Sequence, residues 1–191
     1  MSGQDVMAAA AEVEAFCRSR GWRFCFIGGI AVQRWGTPRF TQDVDATVLA
    51  GFGQEEMFVD AILANFPARR PDARRLALDH RVLLVRTAAG VPVDFSLGAM
   101  EFEEHSIRRA SLWQANQAIA ITTCSAEDLL VHKAFAGRDR DWSDVESVLA
   151  RQKGKLNLDQ VRRDLVPLLE LKEDPQPLEK LERLIVKVQS R

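Results

Sequence analysis

The run Phe26-Ile27-Gly28-Gly29, followed after thirteen intervening residues by Asp43-Val44-Asp45, constrains this chain more than any other stretch. An apolar strand runs into a Gly-Gly turn. A short helix follows, and a second strand brings in the two acids. Strand side chains alternate, so Asp43 and Asp45 share one face while Val44 and Ala46 point into a core. Two adjacent carboxylates resist joint ionisation, and a bound cation removes that penalty. Oxygen-only ligands that leave positions open suit Mg²⁺, which keeps waters and takes substrate phosphates as its remaining ligands. A Gly-Gly turn without side chains lets a phosphate chain approach the backbone. The pattern implies a site for a metal–nucleotide complex.

A bare Asp-x-Asp is ordinarily a solvated strand face, and the Gly pair before it is what gives it meaning. Two rival phosphate motifs fail. A Walker loop needs Gly-Lys-Ser/Thr, and the chain has no such tripeptide. A dinucleotide fingerprint needs G-x-G-x-x-G and a single later acid; here the turn reads G-G-x-A and the acids come as a pair. Asp94, inside Val91-Pro92-Val93-Asp94-Phe95, is an acid in an apolar run, which is costly to bury without a partner.

With these residues in view, the chain resembles the nucleotidyltransferase superfamily of DNA polymerase beta-like fold. That family's signature is an apolar residue, Gly-Gly or Gly-Ser, a short gap, then Asp-x-Asp or Asp-x-Glu. The chain is most similar to the small bacterial AbiEii-like group, with aminoglycoside and lincosamide nucleotidyltransferases next. The signature occupies residues 27–45, and a looser likeness runs to about residue 150.

The resemblance implies a set of roles. Asp43, Asp45 and Asp94 would be metal ligands, with Asp94 alternatively the general base and Asp79 the fallback for the third acid. Gly28 and Gly29 would meet the nucleotide, as would Arg39 and Thr41, which fit the group's Arg-x-Thr/Ser-x-Asp-x-Asp string. Lys133, on a later helix, would reach the phosphates as part of the catalytic set. Asp141 and Asp144 belong to an Arg-Asp-x-x-Asp string and would orient Lys133 or Arg39. Mg²⁺ (or Mn²⁺) would be the cofactor and an NTP the substrate.

Composition narrows the class. The chain has 191 residues, 47% of them apolar, enough for one main domain with a helical appendage. A net charge of −1 argues against a dedicated, strongly basic nucleic-acid surface. Arg69-Arg70 and Arg74-Arg75 form the one basic cluster, by default a solvated loop. Cys17, Cys25 and Cys124 are scattered and odd in number, which suits buried reduced thiols better than disulfides or zinc. His80, His105 and His132 lack zinc-ligand spacing. No basic leader precedes an apolar run, and no apolar stretch approaches ~18 residues. The expectation is a soluble, cytoplasmic protein with no membrane contact.

The expected class is α/β (α+β): a small, mixed, twisted sheet flanked by helices, with a helical C-terminal part. Residues 1–124 form the expected nucleotidyltransferase core and 125–191 a helical region packed on it. Helices are expected over 7–20, 30–35, 54–65, 101–109, from Ser125 onward, 159–171 and 178–189. Strands are expected over 23–27, 44–49, 81–86, 91–96 and 118–122. The Arg-rich stretch 67–79, with two prolines, reads as a loop, and Pro175 and Pro177 as the break between the last two helices.

The implied reaction is attack of an acceptor hydroxyl on the α-phosphate of an NTP, with pyrophosphate leaving. Three acceptor classes stay open: an RNA end such as a tRNA, a protein, or a small molecule. A toxin–antitoxin or defence setting, with a partner protein from an adjacent gene, fits the AbiEii-like group. The alternative is a non-catalytic antitoxin or binding module that keeps the fold.

Overall fold

A computed structural model describes residues 3–190. The chain divides into two units. The first comprises the chain up to Ile30 together with Phe40–Cys124, and the second comprises Ala31–Arg39 together with the chain from Ser125 onward. The short piece Ala31–Arg39 thus groups with the helices that follow Ser125.

The first unit is built on a mixed six-stranded sheet in the order β3-β4-β2-β1-β6-β5. Its strands are β1 (Phe24–Phe26), β2 (Val44–Leu49), β3 (Val82–Arg86), β4 (Pro92–Gly98), β5 (Ser111–Gln114) and β6 (Ala120–Thr123). β2 runs parallel to β4 and antiparallel to β1, and β3 and β4 form the hairpin expected around Gly90. The two-residue period sorts the sheet into faces. Phe24, Phe26, Val44, Ala46, Val48, Leu83, Val85, Val93, Phe95 and Leu97 face one core with α1 (Gly3–Ser19), α3 (Glu55–Leu63) and α4 (Ala73–His80). The alternate positions, Asp45 and Asp94 among them, fall on the opposite face. α5 (Glu101–Arg109) completes this unit.

Two elements differ from expectation. The Arg-rich stretch contains α4, not a continuous loop. Arginine is a good helix former, and Ala73 and Ala77, one helical turn apart, are buried in the core. Three arginines of the cluster pair with acids: Arg70 and Arg75 with Asp72, and Arg74 with Asp60. β5 was not expected either. It is a four-residue edge strand, largely exposed, with no alternation for the sequence to display.

The second unit holds α6 (Ala126–Ala136), α7 (Asp139–Arg151), α8 (Leu158–Lys172) and α9 (Gln176–Gln189). Leu129, Leu130, Val145, Val148, Leu165 and Leu181 are buried. Pro177 sits in the first turn of α9 rather than outside it, where its missing N–H costs no hydrogen bond. α2 (Gly28–Trp35) begins at the Gly pair. Cys17, Cys25 and Cys124 are free and buried, and burial pushes the Cys17 thiol up to about 12. Among the described residues no helix is long and apolar enough to cross a membrane.

Candidate active site

The Gly-Gly turn is packed tightly enough to demand glycine. Gly28 has φ +59°, a conformation L side chains rarely adopt. A Cβ there would overlap the Asp45 carboxylate, and a Cβ on Gly29 would overlap the Thr41 hydroxyl. The turn therefore lies directly against the acid-bearing strand. The Ile27 amide donates to the Asp45 carbonyl at 3.0 Å and locks that placement. Asp43 sits at the bend just before β2 and Asp45 within it; both are partly exposed while Val44 and Ala46 are fully buried. Thr41, itself buried, donates its hydroxyl to Asp43 Oδ1 at 3.0 Å.

Asp94 lies in register with Asp45 on the parallel β2–β4 pair, so the two carboxylates are neighbours on one face. Asp79, the fallback, is exposed on α4. Burial pushes the Asp94 carboxyl up; Arg69 opposes this, and the nearby charge of Asp43 adds to it. The Arg69 guanidinium forms an ion pair with Asp94. From the sequence alone, Arg69 reads as part of a solvated loop. Its true setting comes from backbone pairing of 67–69 along β3, including an Ala68–Val85 bridge, which no local motif announces. Among the described residues, no three or more His, Cys, Asp or Glu side chains are gathered as a ready metal cage.

The second unit carries a separate charge cluster. Ser125 caps α6 by accepting from the Asp128 amide at 3.0 Å. Gly137, left-handed at φ +68°, ends α6 and turns the chain into α7. That turn brings the acids of α7 back onto Lys133. Lys133, 7% exposed, places Nζ 2.8 Å from Asp141 Oδ1 and 2.9 Å from Asp144 Oδ2. Arg39 grips Asp144 with both prongs, Nε at 2.6 Å and Nη2 at 2.7 Å. Arg138 Nε lies 2.6 Å from Asp141 Oδ2. Burial pushes both acids up, but hydrogen bonds outweigh it and hold them below the usual carboxylate range: from Arg138 and Lys133 for Asp141, from Arg39 and Lys133 for Asp144. The piece carrying Arg39 is tied down by Gln152 Nε2 donating to the Trp35 carbonyl at 2.9 Å and by Arg151 donating to that of Gly36.

The site residues expected from the sequence thus fall into two groups. Gly28, Gly29, Thr41, Asp43, Asp45 and Asp94 gather in the first unit, and Arg39, Lys133, Asp141 and Asp144 in the second.

Comparison with known proteins identifies the fold and the family. An antigenic nucleotidyltransferase-like protein from Paracoccidioides brasiliensis is similar over 95% of this chain and 94% of its own, with TM-score 0.56 and 14% identity. The antibiotic-resistance factor ANT(2'')-Ia is similar over 100% of this chain and 94% of its own, with TM-score 0.50 and 12% identity. At such identities the likeness is one of fold, and the fold is that of nucleotidyltransferases. The family model described as nucleotidyl transferase AbiEii toxin, type IV TA system, matches residues 19–189. The chain belongs to this AbiEii family and is a nucleotidyltransferase, an enzyme that moves an NMP from an NTP. No curated protein matches it.

Proposed function

We propose that this chain is a divalent-metal-dependent enzyme that transfers an NMP to a hydroxyl acceptor, working from the Asp43–Asp45–Asp94 face. One observation carries the reading: Asp45 and Asp94 stand in register beside Asp43, against a turn where a Cβ would overlap the Asp45 carboxylate. The donor chemistry fits Mg²⁺ or Mn²⁺. All donors are oxygens, and Mg²⁺ needs only one or two carboxylates when phosphates and water complete its shell. Asp43 and Asp45 meet that need, and Asp94 can join once it exchanges Arg69 for the cation.

The bound cation supplies charge neutralisation for the phosphates and for the attacking and leaving oxygens. The chain's own residues do the rest. Thr41 holds Asp43 in orientation through its hydroxyl. The first amides of α2, at Gly28 and Gly29, would serve as donors to the triphosphate. In the alternative role Asp94, its carboxyl pushed up by burial, accepts the proton of the acceptor hydroxyl as that oxygen bonds to the α-phosphorus and the bond to pyrophosphate breaks. In the second unit, Asp141 and Asp144 hold Lys133 and Arg39 in place.

The acceptor is an RNA end, a protein or a small molecule, and the family's description supports a toxin's role beside a partner encoded nearby. The test is incubation of the protein with each α-labelled NTP, Mg²⁺ and separate pools of total RNA, protein and small metabolites. Label moving into one pool, and lost in Asp45→Asn, supports the reading and names the acceptor class. No transfer in any pool overturns it.

A further inference from the structure

We propose that Arg69 is a positioning residue that stands in for a cation at Asp94, so that metal reaching this carboxylate must first displace its guanidinium. The inference rests on the metal reading of the acid face.

Backbone pairing fixes Arg69 where it can do this. Its amide donates to the Leu84 carbonyl at 3.1 Å, and the Arg86 amide donates to Pro67 at 3.0 Å, so the segment lies along the outer side of β3. Leu84 is paired with Asp94, and Asp94 with Asp45. Arg69, Leu84, Asp94 and Asp45 therefore form one row across the sheet. The Arg69 side chain spans Leu84 to reach Asp94 and stops one strand short of Asp45.

The grip is also incomplete. Arg69 touches Asp94 through Nη2, while its Nε is buried and has no hydrogen-bond partner among the described residues. A guanidinium normally meets a carboxylate with two parallel bonds, as Arg39 meets Asp144. A buried donor left unmatched weakens the state that contains it. Arg69 is thus a replaceable counter-ion: it neutralises Asp94 while no metal is present and retains an unused donor for an incoming oxygen when Asp94 turns to the cation.

The test is Mn²⁺ affinity of the full chain, read by the electron paramagnetic resonance signal of free Mn²⁺, for wild type, Arg69→Gln, Asp94→Asn, the double variant and Asp45→Asn. Removing the competing charge should tighten Mn²⁺ binding about five- to tenfold in Arg69→Gln. The gain should vanish when Asp94→Asn is already present, which a merely structural role for Arg69 would not produce. The backbone bond to Leu84 survives any side-chain change. Arg69→Lys, which keeps the charge without the fork, should fall between wild type and Arg69→Gln and gives a second reading should the glutamine variant fold poorly. Unchanged or weaker binding in both variants overturns the proposal, as does a gain that persists without Asp94. Mn²⁺ binding that ignores Asp45→Asn removes the metal reading itself. Binding that needs Asp45 but ignores Arg69 removes only this inference.

Discussion

Two sets of acids, one in each unit, meet opposite fates. Asp141 and Asp144 are 1% and 2% exposed, and the chain supplies their counter-charges in Lys133, Arg39 and Arg138. Asp43 and Asp45 remain partly exposed; Asp43 leans on a neutral hydroxyl, and Asp94 on an incompletely bonded arginine. A buried carboxylate is tolerated only with a cation to match it. Where the protein provides that cation, the acids hold the fold together. On the first unit's face, the proposed function calls for a cation from outside. The same residue type does architectural work in one unit and, in the proposed function, chemistry in the other.

The largest effects should come from the acid face. Asp43→Asn and Asp45→Asn are each expected to lower transfer by roughly a hundredfold or more, because a clamp worth several kcal/mol is lost. Neither should lower the melting temperature of the metal-free protein, since removing mutual repulsion favours the apo state. Labelled-NTP transfer and circular-dichroism melts of the same preparations decide this. A drop of several degrees with either change would mean that this pair, too, is architectural.

Lys133→Met should behave in the opposite way. It strips the shared cation from two buried acids, a loss of about 3 kcal/mol, or roughly 6–12 °C in a domain of this size. A variant that melts like wild type but binds nucleotide poorly would break the comparison and make Lys133 a ligand contact first. Gly28→Ala should cost about 1–3 kcal/mol for its left-handed backbone, with a proportionally greater loss of transfer because it displaces Asp45.

The smallest effect is in acid. Asp141 and Asp144 titrate below their unfolded values, so their contribution is complete above about pH 4 and drains away as pH falls through the lower folded values. Melts across this range should show an acid limb that Asp144→Asn blunts. A limb of equal depth in both proteins would detach the network from acid stability.

Much of this contrast was legible in the sequence. Gly28-Gly29 and Asp43-Val44-Asp45 lie within one strand–helix–strand stretch, so local periodicity was enough to bring them together. Asp94 was readable as an acid inside an apolar run, yet its register opposite Asp45 depends on a pairing across forty-nine positions of sequence that no local pattern specifies. Arg69 was hidden by composition: four arginines and two prolines read as a solvated loop, whereas the fold turns Arg69 onto Asp94 and sets Arg74 and Arg75 in α4. Lys133, Asp141 and Asp144 were recognisable as a string; their near-total burial was not, because it arises from the turn at Gly137 folding α7 back on α6.

The central claim is that the first unit's acid face takes a cation and a nucleotide together. Calorimetry of ATP, GTP, CTP and UTP binding, each with Mg²⁺ and with EDTA, on wild type and Asp45→Asn, tests it most directly. The account predicts that at least one nucleotide binds wild type only with Mg²⁺ and that Asp45→Asn abolishes this binding. Binding of equal strength in EDTA, or binding untouched by Asp45→Asn, would contradict it.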